Sequence, residues 1–288
     1  MRTSERVSNA VLVTGCSSGI GRAVARRLAD HGWTVYASAR RPETISELAA
    51  HGCRLLQLDV CDPESARRAV DAVEEAEGAV GVLVNNAGYG LEGAIEEIPV
   101  DEARVELETN FLGPARLVQL VLPGMRRRRW GRIVNVSSVG GRLTVPGGAY
   151  YHASKHALEA LSDVLRFEVR GFGVDVIVIE PGAVRTRWVD KAAIGMASRS
   201  DPAGSYAAFD DAVARRLRGA HEGVLRLAAR SPEAVARVVE RAINARRPRT
   251  RYVVPRAAQL FTGSRRVLPD RVWDALMRRL FPTPGPTP

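Results

Sequence analysis

The sequence predicts an α/β fold in one domain, a doubly wound, mostly parallel sheet with helices on both faces. Three observations carry that expectation. Short apolar runs alternate with helix-patterned stretches through roughly the first 180 residues, as successive βαβ units require. A glycine-rich turn, Thr14-Gly15-Cys16-Ser17-Ser18-Gly19-Ile20-Gly21, joins the first strand to the first helix. Polar residues follow later strands, at the sheet edge where open α/β sheets place their ligands.

Residues 10–14 read as the first strand and 21–30 as an amphipathic helix. Strands are expected at 34–39 and 54–58, the latter ending at Asp59, with a helix over 42–51 between them. Residues 63–77 predict the third helix, and 81–84 a strand running into Asn85-Asn86-Ala87-Gly88. A long helix follows over 101–127, its pattern interrupted at Gly113-Pro114. Strand 133–136, helix 151–170 and strand 174–179 come next, the last ending in Glu180-Pro181-Gly182. Right-handed crossovers turn this series into helices on both sides of one sheet.

The last third reads differently. Residues 185–230 are rich in Ala, Arg and Asp, with breaks at Pro202, Gly204 and Gly219, so one or two helices are expected before a closing helix at 232–245. Tyr252-Val253-Val254 suits a final strand. The expected organisation is a domain over 1–255, with 186–230 as a helical insertion. A basic amphipathic extension follows over 256–288, a helix pair to 281 and a frayed end from 282.

The 288 residues are 45% hydrophobic and 26% charged, ordinary for a soluble globular chain. No apolar run is long enough to span a membrane, and residues 1–9 lack the apolar stretch of a secretory signal. Cys16, Cys53 and Cys61 form no even framework and no CxxC pair, which suits a reducing, cytoplasmic location. The net charge of +10 is carried almost wholly by arginines spread along the chain, so a nucleic-acid partner is not expected. Arg126-Arg127-Arg128-Arg129 is expected to end a helix, where cations are favourable.

The chemistry concentrates around Tyr151 and Lys155, four residues apart and so on one helix face, with Ser138 thirteen residues upstream at a strand end. Lys155 and Lys191 are the only lysines. A cation beside a phenol favours the phenolate, so Lys155 is expected to lower the Tyr151 pKa and poise it as a proton donor. Strand alternation puts Ser137 and Ser138 on opposite faces. Tyr150 falls off the Lys155 face and is assigned to the substrate wall. His152 and His156 have a spacing that can bind metal, but no third ligand or HExxH glutamate accompanies them; surface histidines and no metal are expected. Cys16 reads as a small filler inside the turn.

The glycine turn offers close backbone approach and open helix N–H groups to phosphate, as a dinucleotide site needs. Beyond the second strand, Ala39 leaves no carboxylate and Arg40 supplies a planar cation for a 2′-phosphate, so NADP(H) is preferred and NAD(H) possible. Residues 140–150 and the stretch after Thr186 are expected to form the substrate pocket. Leu143, Val145, Trp188, Val189, Ile194 and Met196 suit an apolar ligand, or simply pack the insertion onto the sheet.

Together these residues resemble the short-chain dehydrogenase/reductase family over about residues 8–186. Thr14, Gly15, Gly19 and Gly21 match its glycine pattern, Asn86-Ala87-Gly88 its Asn-Ala-Gly motif and Tyr151 with Lys155 its Tyr-x-x-x-Lys. Pro181-Gly182 matches its Pro-Gly motif and Asp59-Val60 the pair flanking the adenine. The wording of the glycine turn and of Ala39-Arg40-Arg41 looks like the 17β-hydroxysteroid and retinol dehydrogenase branch.

The resemblance implies a Rossmann fold and an alcohol–carbonyl hydride transfer on a steroid-, retinoid- or lipid-like molecule. Tyr151 would be the acid/base and Lys155 would hold the nicotinamide ribose. Ser138, preferred over Ser137 by the family spacing, would bond the substrate oxygen, and Asn110 would hold a relay water. Gly15, Ser17, Ser18, Gly19, Ile20, Gly21, Arg40, Asp59, Val60, Asn86, Ala87, Gly88, Pro181, Gly182 and Thr186 would complete the cofactor site, Thr186 at the carboxamide. A homodimer or homotetramer pairing helices 101–127 and 151–170 is implied. The rival reading is a non-catalytic dinucleotide-binding redox sensor. The basic tail is expected over the substrate cleft or a dimer partner, rather than on an anionic membrane surface.

Overall fold

The computed structural model describes residues 8–186, 188–201, 203–219 and 229–284, without the side chains of residues 188–191, 218, 260 and 261. Pro202 and the side chains of Trp188 and Val189 lie outside the described residues.

Among them, seven strands form one parallel sheet: β1 (Ala10–Val13), β2 (Thr34–Ala39), β3 (Arg54–Gln57), β4 (Val82–Asn85), β5 (Gly131–Val136), β6 (Val174–Pro181) and β7 (Arg251–Val254). Their order is β3-β2-β1-β4-β5-β6-β7, every pairing parallel. The chain winds outward from β1 to β3, then returns to the other side of β1, so β1 and β4 flank the switch point where such sheets bind ligands.

The strands read as continuous apolar runs because both faces are covered. Alternation sends Val11, Val13, Val82 and Val84 to one layer, with Val24 and Leu28 of α1 (Gly19–Asp30) and Val235 and Val239 of α8 (Pro232–Asn244). Leu12, Leu83 and Ile133 enter the other. There they meet Val70 and Val73 of α2 (Pro63–Glu77) and Leu117 and Val121 of α4 (Gly113–Arg128). Also on this side are α3 (Val100–Leu107) and α5 (Ala149–Val169).

Two predicted helices take other forms. Residues 42–51 make a 3₁₀ helix with a kink at Ile45; Ile45 and Leu48 are its buried residues, and a spacing of three aligns side chains in a 3₁₀ turn. The long helix over 101–127 breaks at Glu108–Leu112, a π-helical turn, rather than at Gly113-Pro114, which open α4 helically. A proline at a helix start loses only an N–H that had no partner. The arginine run ends α4 as expected, with Arg129 left-handed at φ 51° and its N–H on the Arg126 carbonyl (3.1 Å).

The insertion contributes α6 (Trp188–Ala197) and α7 (Ala207–Gly219), and the tail α9 (Ala258–Val267) and α10 (Asp270–Leu280). Trp273 and Met277 of α10, with Phe281, form a stripe at four-residue spacing that packs with Leu143, Met196, Phe209 and Val213. That stripe is thus covered by the chain itself, while Val267, Val272 and Leu280 of the tail are exposed. Ile194 is exposed. No helix of the described residues is long and apolar enough to cross a membrane.

One polar cluster ties β7 to the sheet. Arg251 lies 2.9 Å from Glu159, 2.7 Å from Asp163 and 3.1 Å from Glu180, and both glutamates are buried. Breaking a buried pair leaves uncompensated charge, a loss of about 3–5 kcal/mol. Arg251→Met is therefore expected to lower unfolding free energy by about that amount in denaturant titration. A loss within the range of surface pairs, under about 1 kcal/mol, would contradict the cluster's burial.

Candidate active site

At the switch point the end of β1 is bolted to the end of β4. Thr14 Oγ1 accepts the N–H groups of Asn86 and Ala87, each at 2.9 Å, and Asn86 Nδ2 donates to the carbonyls of Thr14 (2.9 Å) and Gly15 (3.2 Å). Gly15 has φ +71°, and a Cβ there would lie 2.8 Å from the Ala87 Cα. At Gly21 a Cβ would lie 2.4 Å from Asn86 Nδ2, so only glycine lets the turn press this close. Ser18 caps α1 in extended conformation without a side-chain bond, and no acid occupies the first turn. The helix's first amides and its dipole are left for an anion. Ser17 is exposed, while Ser18, Gly19 and Ile20 are half-buried. Thr186 comes in from beyond β6, its Cγ2 3.0 Å from where a Gly19 Cβ would stand.

Cys16 is the filler the sequence suggested: burial pushes its thiol up to about 12, and it donates to the Val13 carbonyl. Arg40 is exposed beyond β2 and makes no ion pair among the described residues. Asp59, half-buried past β3, accepts from the Cys61 N–H at 3.0 Å. Val60 is buried, its carbonyl accepting from Arg116 at 2.6 Å.

Tyr151 and Lys155 lie in the first two turns of α5. Lys155 is buried, and its Nζ donates to the carbonyl of Val136, the last residue of β5, at 3.0 Å. That Nζ stands 5.9 Å from the centroid of the Tyr151 ring. Ser138 hydrogen-bonds the Tyr151 hydroxyl, and its Oγ also accepts from the Gly140 N–H at 3.0 Å. Ser137 Oγ is buried without a hydrogen-bond partner among the described residues. Pro181 ends β6, 3.4 Å from Ser138 Oγ, and Gly182 donates to the Val254 carbonyl at 2.8 Å.

The electrostatics differ from the expectation. Burial pushes the Tyr151 hydroxyl up to about 12, against the Ser138 bond, and the Glu92 and Glu106 carboxylates add to the rise. Burial also pushes Lys155 down to about 8. The phenol is raised because its own burial disfavours the phenolate, and two acids that spacing alone did not reveal, Glu92 and Glu106, add to that.

Asn110 is fully buried within the π turn. Its Nδ2 donates to the Tyr89 carbonyl (2.8 Å) and Ser154 Oγ (3.0 Å), and its Oδ1 accepts the Tyr89 N–H (3.1 Å). Gly88 packs so closely that a Cβ would lie 2.8 Å from that Oδ1. Glu106, one helical turn earlier, is also fully buried; it takes the Leu91 N–H at 3.2 Å and is pushed up to about 7 by burial. Its four-residue spacing from Asn110 was the available sequence signal. His152 is buried rather than on the surface. Its Nδ1 meets the Gly140 carbonyl at 2.9 Å and its Nε2 accepts the Val145 N–H at 3.2 Å, so it is neutral and pins the loop before α5. His156 is exposed as expected, and no group of possible metal ligands occurs among the described residues.

Beside this constellation lies a cavity of about 800 Å³ whose walls include Ala94, Val145, Phe209, Trp273 and Met277. From the start of α5 it is Ala149 and His152 that line it, where the sequence pointed to Tyr150. Val145 faces the cavity, whereas Leu143 and Met196 are packing residues of the insertion.

Fold and switch-point turn together define a Rossmann-like, nucleotide-binding α/β protein. The short chain dehydrogenase family pattern matches residues 9–195. Retinol dehydrogenase 5 of Homo sapiens is 35% identical over 99% of this chain and 92% of its own length. Among solved structures, a short-chain dehydrogenase from Streptomyces avermitilis superposes with a TM-score of 0.77 at 34% identity, covering 93% of this chain and 95% of that one. A second, from Burkholderia phymatum and in complex with NAD, gives 0.76 at 26% identity, covering 96% and 97%. The chain belongs to the short-chain dehydrogenase/reductase family of oxidoreductases.

Proposed function

We propose that the protein interconverts an apolar alcohol and its ketone or aldehyde with NADP(H), using Tyr151 as acid/base. The observation that carries this reading is the convergence of Ser138, Tyr151 and Lys155 at the end of β5, next to the glycine turn. The bound nicotinamide supplies or accepts a hydride at the carbon bearing the oxygen. Tyr151 gives or takes the proton at that oxygen, and the Ser138 hydroxyl donates a hydrogen bond to it as charge develops. Lys155 supplies the cation that favours the phenolate and donors for the ribose hydroxyls, while Asn110 holds a water that relays protons to Lys155. The turn fits a dinucleotide: it is a cradle that side chains at Gly15 or Gly21 would fill, below an uncapped helix start. Gly15 to Gly21, Asn86 to Gly88 and Pro181, Gly182 and Thr186 would hold it, with Asp59 and Val60 at the adenine.

NADP(H) is preferred because Arg40, exposed and without an ion pair among the described residues, stands at the strand end where the adenosine ribose lies in such folds. The cavity's Trp273, Phe209, Met277 and Val145 favour an apolar substrate, as does the likeness to a retinol dehydrogenase. The reading places the protein in the cytoplasm as a homodimer or homotetramer. Val164 and Phe167 of α5, the latter 88% exposed, with Val105 of α3 and Leu112, make an apolar face suited to a second copy of this chain.

Positioned proton transfer is worth roughly 10²–10⁴-fold, so Tyr151→Phe is expected to lose at least a hundredfold in ketone turnover while NADPH still titrates onto it. Turnover retained in that variant would refute the assignment. A charge-assisted bond to the 2′-phosphate is worth about 1.5–3 kcal/mol, so Arg40→Asp should shift the NADPH/NADH ratio of kcat/KM toward NADH by roughly tenfold to hundredfold. An unmoved ratio removes Arg40 from the site. Light scattering is expected to give two or four chain masses; a single-chain species in solution would rule out the pairing.

A further inference from the structure

The role just proposed for Ser138, Tyr151 and Lys155 does not use the buried acid Glu92. Glu92 follows the Asn86-Ala87-Gly88 turn and is 6% exposed. Its neighbours Gly93 and Ala94 line the 800 Å³ cavity. So do Gly147 and Ala149, on either side of Gly148, and a Cβ on Gly148 would stand 3.1 Å from Glu92 Oε2. The carboxyl group therefore lies just behind the cavity wall, against the residue that opens the Tyr151 helix. The backbone bond from Gly93 N–H to the Gly147 carbonyl (2.8 Å) fixes it there.

A carboxylate so buried normally finds a cation or several donors. Glu92 has neither among the described residues: the influences on it are burial and the Glu106 carboxylate, which together push it up to about 8. Arg199 donates to the Glu92 backbone carbonyl at 2.9 Å and to Glu102 at 3.2 Å. Glu106 is already employed, accepting the Leu91 N–H and bracing Asn110. Gly148, against which the carboxyl lies, is three residues before Tyr151, and the Glu92 charge adds to the rise of the Tyr151 hydroxyl.

We infer that Glu92 is a specificity-determining residue that binds an ammonium group carried close to the reacting carbon, so that the substrates are amino alcohols or amino ketones with an apolar body. This rests on the alcohol–carbonyl reading above and narrows its substrate class. A bound ammonium supplies the opposite charge that the wall lacks, and ionises Glu92 by offsetting its desolvation. The apolar remainder then extends past Val145 and Phe209 toward Trp273 and Met277.

Two paired measurements on the full chain test it. In the first, NADPH oxidation is compared for a long-chain 2-alkanone and its 1-amino counterpart. In the second, calorimetry compares binding of the matching 2-alkanol and 1-amino-2-alkanol, a readout that needs no turnover. Wild type is expected to favour the amino member of each pair, and Glu92→Gln to cut that preference by roughly tenfold to hundredfold, the worth of a charged hydrogen bond. Glu92→Leu gives the same comparison if the glutamine variant folds poorly. Ketone turnover without an amine preference, or a preference unchanged in both variants, overturns the assignment of Glu92 and leaves the reaction standing. Selective amine binding lost in the variants, with no turnover of any ketone, upholds Glu92 and sinks the reaction.

Discussion

The contact between Lys155 and the Val136 carbonyl sets the geometry of the whole sheet mouth. Val136 ends β5, one residue past its last partner on β4, and its carbonyl takes a donor from outside the sheet. Lys155 supplies one from the second turn of α5, and that fastens the helix start above the strand end. Tyr151, one turn earlier on the same face, then meets Ser138, two residues beyond Val136. The ribose contact proposed for Lys155 and the structural anchoring draw on one ammonium, whose three protons allow it to serve both. Burial makes that ammonium easier to deprotonate, so it sits near the protonation boundary instead of far above it.

The sheet was legible because both its faces are covered, which turns every strand into an apolar run that periodicity detects. The Tyr151–Lys155 pair was legible for a related reason: a four-residue spacing on a helix fixes direction without tertiary information. What sequence could not reveal depended on contacts between distant segments. His152 looked like a surface residue because its partners, Gly140 and Val145, come from an irregular loop with no period. The break in the long helix was expected at Gly113-Pro114, the conspicuous residues, yet the ladder widens at Glu108–Leu112. That extra residue in the turn carries Asn110 inward, between Tyr89 and Ser154, which a regular helix would not do. The phenol was expected to be lowered by its cation, but burial and two acids remote in sequence raise it, against the Ser138 bond.

The distribution of charge follows a similar division. A chain with a net charge of +10 keeps its excess arginine outside, while the interior around Tyr151 carries Glu92 and Glu106. Overall basicity therefore says little about the ligand, because solvent screens exposed charge and leaves buried charge to act at short range. The local sign at the cavity wall is acidic.

The wall farthest from Tyr151 has another origin. Trp273 and Met277 come from α10, an eleven-residue helix too short to persist alone, so its order depends on docking. Its apolar stripe meets the insertion, and arginines clamp both ends: Arg265 stacks 5.5 Å over Trp273 and bonds Asp270 at 2.8 Å, while Arg216 of α7 stacks 4.8 Å over Phe281. The end of the sheet and the start of α5 thus hold Ser138, Tyr151 and Lys155, whereas the insertion and tail, packed mainly on each other, shape the cavity beyond them. Substitutions in α7 or α10 can reshape the far wall without disturbing Val136, Ser138 or Tyr151. A fold built this way separates what is done to a substrate from which substrate is admitted.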